Sequence, residues 1–176
     1  YFSETIIIFT SNLGMYFKDA LGQRHQNVSY DMPYDEVTRR LREAIGDYFK
    51  LELGRPEILN RIGENIVIFD FIRQEAGQAI LRAQVDKLIR RLKEQKNLTL
   101  VIPDTSYQQL SDAALADLTN GGRGIGNQVE ALLINPRSRY LFDSGIIENA
   151  TVTVDAFETT AQPPALRCTT TKEENT

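Results

Sequence analysis

A chain of 176 residues with 41% apolar and 25% charged side chains can build one domain or two small ones and is ordinary for a globular protein. Its net charge of −4 argues against a nucleic-acid surface, which is usually basic. No apolar run approaches a membrane span, no secretory signal is visible, and a single cysteine, Cys168, excludes an internal disulfide and makes a reducing compartment the default.

In chain order, Thr5-Ile6-Ile7-Ile8-Phe9 is a β-branched apolar run too short for a helix, which predicts a strand buried on both faces of a parallel sheet. Asn12-Leu13-Gly14 ends it, and residues 15–32 read as a polar, irregular surface insertion. From Pro33 to Lys50, Val37, Leu41, Ala44, Ile45 and Tyr48 fall at helical spacing, with Asp35 and Glu36 suited to the positive end of the dipole. A short helix starts at Pro56, and Asn65-Ile66-Val67-Ile68-Phe69 predicts a second all-apolar strand. A long amphipathic helix follows, with Ile80, Ala83, Leu88 and Leu92 as its stripe and Arg73, Arg82, Arg90, Arg91 and Lys93 on the wet face.

Leu98 to Ile102 predicts a short strand, broken by Pro103. A helix through Tyr107, Leu110, Ala114 and Leu118 is separated by Gly121-Gly122 from one containing Ile125, Val129, Leu132 and Leu133. Pro136 should kink or restart that helix, because it lacks a backbone donor and crowds the preceding turn. Thr151-Val152-Thr153-Val154 alternates as a half-exposed strand. From Glu158 onward, Thr, Pro, Gln and Glu predict a polar tail without a fold of its own.

Three strings carry the chemistry: Thr10-Ser11-Asn12-Leu13-Gly14, Arg55-Pro56-Glu57-Ile58-Leu59-Asn60-Arg61, and Gly121-Gly122-Arg123-Gly124-Ile125. An amide at a strand end, as at Asn12, can donate to a phosphate oxygen and accept from an attacking water; the bland alternative is a turn residue. Arg61 closes a helix, where a guanidinium can meet phosphate, soothe the helix dipole or pair with Glu57. Arg123 opens a helix, where a cation opposes the dipole unless an anion joins them; otherwise it is a solvated loop arginine. The glycines around Arg123 do not fit a dinucleotide fingerprint. His25 has no ligand cluster near it, so no metal site is expected.

Together and in this order the strings resemble the second half of a Clp-type AAA+ ATPase module, over roughly residues 4–154. The resemblance implies an α/β fold: residues 1–72 as part of the large domain (two sheet strands plus helices), 73–155 as the mostly helical small lid domain with short strands, and 156–176 as the tail. It implies that Asn12 is the sensor-1 residue, Arg61 an arginine finger reaching a neighbouring subunit, and Arg123 the sensor-2 residue of the lid. Gly63 stands where the family usually has Asp, and Gly124 where it commonly has Pro. No Lys follows a Gly, and the one Asp-Glu pair, Asp35-Glu36, opens a helix, so the P-loop and the Mg²⁺-holding motif are absent.

Opening at Tyr1, the chain reads as a piece of a longer protein. The implied parent is a cytoplasmic ring, hexameric in the family, that binds ATP and Mg²⁺ and remodels or unfolds protein substrates. This piece alone is expected to be inactive. Between sensor 1 and the finger, Leu21-Gly22-Gln23 is a poor match to the loop with which some Clp unfoldases dock on the ClpP peptidase, so no ClpP docking is expected. A non-catalytic module of the same shape, kept for oligomerisation, is the alternative; a branch acting on nucleic acid is disfavoured by the acidic balance.

Overall fold

The computed structural model describes residues 4–172 and divides into two compact units that separate between Phe71 and Ile72. The fold is α/β, with two small sheets.

In the first unit, a hairpin of β1 (Tyr16–Lys18) and β2 (Arg24–Gln26) precedes α1 (Tyr34–Asp47), a π-helical turn Tyr48–Glu52, and α2 (Pro56–Ile62). The stretch expected as an irregular insertion is therefore an antiparallel hairpin, closed by Asp19, whose Oδ1 accepts the N–H groups of Leu21 and Gln23 at 2.9 Å each. The core is small: Val28, Val37 and Leu41, with Met15, Met32, Ile68 and Phe71 packed on it.

Neither of the two expected sheet strands forms. The 5–9 run joins no strand ladder among the described residues, and Ile6 and Phe9 are 89% and 90% exposed. A strand exists only through its neighbours' hydrogen bonds, and no described segment supplies them. The 65–69 run starts in a 3₁₀ turn, Gly63–Asn65, and continues extended but unpaired. Its backbone is held by side chains of α1: Tyr34 Oη donates to the Ile68 carbonyl at 2.9 Å and Arg42 Nη2 to that of Ile66 at 3.2 Å. Ile66 and Ile68 are half-buried, while Val67 and Phe69 are exposed.

The second unit begins with α3 (Gln74–Lys96), which ends on Asn97 in the left-handed region. Its buried stripe is Gly77, Leu81, Val85 and Leu92. Ala83, expected on that stripe, is exposed: the helix is rotated from the expected register so that Leu81 and Val85 point inward. Next come β3 (Leu98–Val101), α4 (Asp104–Ala114), α5 (Gly121–Val129), a π-helical turn Glu130–Ile134, and α6 (Asn135–Asp143), with Pro136 in the first turn of α6. The restart expected at Pro136 is thus present, its missing donor falling where the hydrogen-bond ladder already changes.

The sheet closes with β4 (Ala150–Glu158), parallel to β3, and β5 (Ala165–Lys172), antiparallel to β4 with a bulge between Val154 and Ala156. β5 corrects the expected polar tail. Its composition is polar, but Leu166, Cys168 and Thr170 alternate as half-buried positions, and its backbone is paired along its length. Residues 173–176 of that tail lie outside the described residues. The core of this unit includes Leu81, Leu98, Leu110, Ile125, Leu133 and Val154, each almost fully buried and contributing roughly 1.5–3 kcal/mol.

Candidate functional site

Arg61 occupies the last turn of α2, a helix begun by Pro56, whose fixed φ suits the first helical position. Glu57, one turn before it, is engaged elsewhere: Arg55 Nη1 lies 3.3 Å from Glu57 Oε1. Arg61 is exposed and has no hydrogen-bond or ion-pair partner among the described residues. Of the alternatives open for it, pairing with Glu57 is removed. The helix stops at Gly63 with φ 55° and ψ −129°, a conformation that is essentially glycine's alone.

Asn12 sits in a turn, not at a strand end. Its carbonyl accepts the Met15 N–H at 3.2 Å, and Ser11 Oγ accepts the Leu13 N–H at 3.0 Å. The turn is anchored by Gly14, buried against α1 at φ 83°; a Cβ there would lie 3.0 Å from Ala44 Cβ and 3.3 Å from Leu41 Cδ2. Only a glycine permits both the dihedral and the approach. Asn12 is exposed, and although it shares a unit with Arg61, no hydrogen bond joins them.

Arg123 lies in the first turn of α5, in the other unit, exposed and without a carboxylate partner among the described residues. The helix is fixed by Ile125 and Val129, which are buried, and by Gly121 and Gly122 packing close to Ile72. Asn120, in the cap position, makes no side-chain cap, and Gly124 is pressed on it: a Cβ at 124 would fall 2.9 Å from Asn120 Cβ.

No protein-family model matches the chain. Among curated proteins it is 30% identical over 158 residues to chaperone protein ClpB 1 of Thermosynechococcus vestitus, covering 89% of this chain. It is 29% identical over 154 residues to the ClpB of Gloeobacter violaceus and 27% identical over 155 residues to the ClpC ATP-binding subunit of Staphylococcus epidermidis, each covering 88% of this chain. The chain is homologous to Clp-type AAA+ ATPases. It spans 16% of the length of the two ClpB proteins and 18% of that ClpC.

Against the Clp pattern, Arg61 and Arg123 are both presented to solvent with their donors uncommitted, which suits contact with an external anion. Among the described residues no group of three His, Cys, Asp or Glu side chains converges to hold a metal, and no helix is long and apolar enough to cross a membrane. Leu21-Gly22-Gln23, the segment compared with a Clp docking loop, forms the hairpin tip, and Leu21 is exposed there. His25 is on β2, not in a solvated loop: its ring stacks on Phe17 at 5.4 Å, and its Nε2 lies 2.7 Å from Asp19 Oδ2. That hydrogen bond, aided by the Gln23 and Leu21 N–H groups, holds the Asp19 carboxyl below its usual pKa.

Sequence reasoning missed two polar anchors of the second unit. Ser106, almost fully buried on α4, donates to the Asp155 carbonyl at 2.9 Å, and Gln109 Oε1 accepts the Phe157 N–H at 3.0 Å. Both meet β4 beside its bulge, where the ladder leaves backbone groups unpaired. Their helical spacing, i and i+3, placed them on one face of α4; only knowledge of the bulge would have given that face a purpose.

Proposed function

We propose that this chain is the sensor, finger and lid portion of a ring-forming Clp ATPase that couples ATP hydrolysis to the remodelling of proteins. The observation that carries the reading is the ordered set of Asn12, Arg61 and Arg123 within a stretch related to ClpB and ClpC over nearly nine-tenths of its length. In the parent, ATP supplies the phosphoryl group and Mg²⁺ neutralises its charge, both held chiefly by motifs this chain lacks. Arg61 meets the charge that develops on the nucleotide of the neighbouring subunit, for which a free guanidinium fork is suited. Arg123 reads the nucleotide of its own subunit and ties its occupancy to the position of the lid. Asn12 orients the attacking water. The parent works in the cytoplasm on protein substrates, and the tip at Leu21–Gln23 does not dock on ClpP.

The testing experiment places Arg61→Ala in the parent ring. Turnover should fall while each subunit keeps its nucleotide affinity, and mixing with a subunit defective in its own Mg²⁺-holding motif should restore hydrolysis at the mixed interfaces. Equal losses of binding and rate would assign Arg61 to its own subunit's pocket or to folding. A second reading, a non-catalytic module of the same shape, draws on the glycines at 63 and 124, which occupy motif positions where the family usually carries Asp and Pro. Persistent hydrolysis by the parent decides against it.

A further inference from the structure

The helix that carries Arg123 opens with little to stiffen it from within. Glycine fills four of the nine positions of α5, and each glycine leaves the backbone freer than any other residue would. Asn120 supplies no side-chain cap to the first turn. Gly121 stands at φ 57°, its N–H donating to the Leu118 carbonyl at 2.9 Å, and the Gly124 N–H donates to the Asn120 carbonyl at 3.2 Å. Ile125 and Val129 are buried and fix the helix, but both come after Arg123. The turn that aims the guanidinium therefore takes its rigidity from outside α5.

Ile72, half-buried and the first residue of the second unit, lies over both members of the glycine pair. A Cβ on Gly121 would fall 3.4 Å from Ile72 Cδ1, and one on Gly122 would fall 3.5 Å from the same methyl. Ile80 of α3 reaches Gly122 more distantly, at 3.9 Å from that Cβ position. One methyl group thus covers two consecutive glycines at ordinary van der Waals range. Being β-branched, isoleucine holds that methyl with few rotamers to choose from. On the other side of the turn, Leu118, which accepts the Gly121 N–H, is itself seated on α3: a Cβ on Gly77 would lie 3.3 Å from Leu118 Cδ2. The glycine turn is held between Ile72 and Leu118, and Ile72 is the side chain that touches the two residues directly before Arg123.

We propose that Ile72 is a positioning residue for Arg123, clamping the glycine turn so that the guanidinium is presented in one orientation. This rests on the reading of Arg123 as the residue that meets the nucleotide of its own subunit. The test is a double-mutant cycle in the parent ring, with ATP affinity and kcat measured for Ile72→Ala, Arg123→Ala and the two combined. Ile72→Ala is expected to weaken ATP binding about tenfold, and Ile72→Val, which removes only the touching methyl, about threefold. In the Arg123→Ala background, Ile72→Ala should cost no further affinity, because the side chain it orients is gone. If Ile72→Ala loses helical circular dichroism, Ile72→Val carries the cycle in its place. Losses that multiply in the double variant would mean that Ile72 supports the fold or the pocket independently of Arg123, and would overturn the proposal alone. Wild-type affinity in both Ile72 variants would overturn it as well. Unchanged ATP affinity on Arg123→Ala would bring down the nucleotide reading of Arg123 and this role of Ile72 with it.

Discussion

Arg55 Nη1 and Glu57 Oε1 lie 3.3 Å apart, while Arg61, one turn beyond Glu57, has no ion-pair partner among the described residues. An exposed arginine without partners contributes little to stability, so Arg61→Ala should shift the unfolding of the chain by less than about 0.5 kcal/mol. Its loss in the parent ring should lower turnover by about 10³-fold or more. Urea unfolding of the chain and steady-state hydrolysis by the ring measure the two; marked destabilisation would assign Arg61 to the fold.

Arg123 and Gly124 should separate function from folding within a single turn. Arg123→Ala is expected to weaken ATP binding by the parent in its own subunit, with no rescue on mixing with other variants. Gly124→Ala gains about 1 kcal/mol of helix propensity but forces a Cβ to within 2.9 Å of Asn120 Cβ. Overpacking of that kind costs about 1–3 kcal/mol, so the second unit should lose stability. Thermal unfolding that rises instead would show that Asn120 moves aside freely.

The chain alone should neither hydrolyse ATP nor bind it tightly, since it has no lysine after a glycine and no strand-ending Asp-Glu pair. Calorimetric titration giving micromolar affinity would contradict this.

The helices were legible because their signals are local. Pro56 at the start of α2, the glycine pair opening α5 and the restart at Pro136 each act within one turn. Strands were less so, because a strand's existence depends on a partner distant in sequence. Thr5 to Phe9 has every intrinsic preference for β structure and joins no strand ladder among the described residues, whereas Ala165 to Lys172 looks like a solvated tail and pairs fully with β4. On α3, taking Ala83 for a stripe residue shows how little one small apolar side chain says about a helix's rotation. The candidate site rests on motif order: nothing in the spacing of Asn12, Arg61 and Arg123 alone distinguishes a phosphate contact from a solvated side chain.

The exposed run from Ile6 to Phe9 should make the chain self-associate. It is β-branched, uncharged, free of proline and open on its backbone edges, which together favour strand addition from another copy. Sedimentation velocity should find species heavier than the 20.0 kDa monomer, and Ile7→Lys should shift them toward it. A wild-type chain that stays monomeric at its solubility limit, with its first segment unprotected from hydrogen exchange, would oppose this.

Glu36 accepts from Arg39 at 2.8 and 3.0 Å and from Arg40 at 2.6 Å. These hydrogen bonds, helped by the charges of both arginines, bring its pKa from 4.5 to about 2. A carboxylate whose folded pKa is depressed stabilises the fold above its unfolded value and loses that contribution as pH falls through the folded one. The helical signal of α1 should therefore weaken between about pH 4.5 and 2. Glu36→Gln should remove that part of the acid transition; an unchanged profile would show the exposed network to be energetically idle.

The eight residues of β5 also bear on how short the second unit can be made. A version ended at 155, where composition first suggests stopping, would strip β4 of its antiparallel neighbour. Tyr140 would lose both the Cys168 carbonyl, 3.3 Å from its hydroxyl, and Thr170 Oγ1, 2.8 Å away. Shortened versions of the second unit therefore need to run at least through Lys172, since trimming that follows composition alone would leave β4 with an open edge of the kind that invites aggregation.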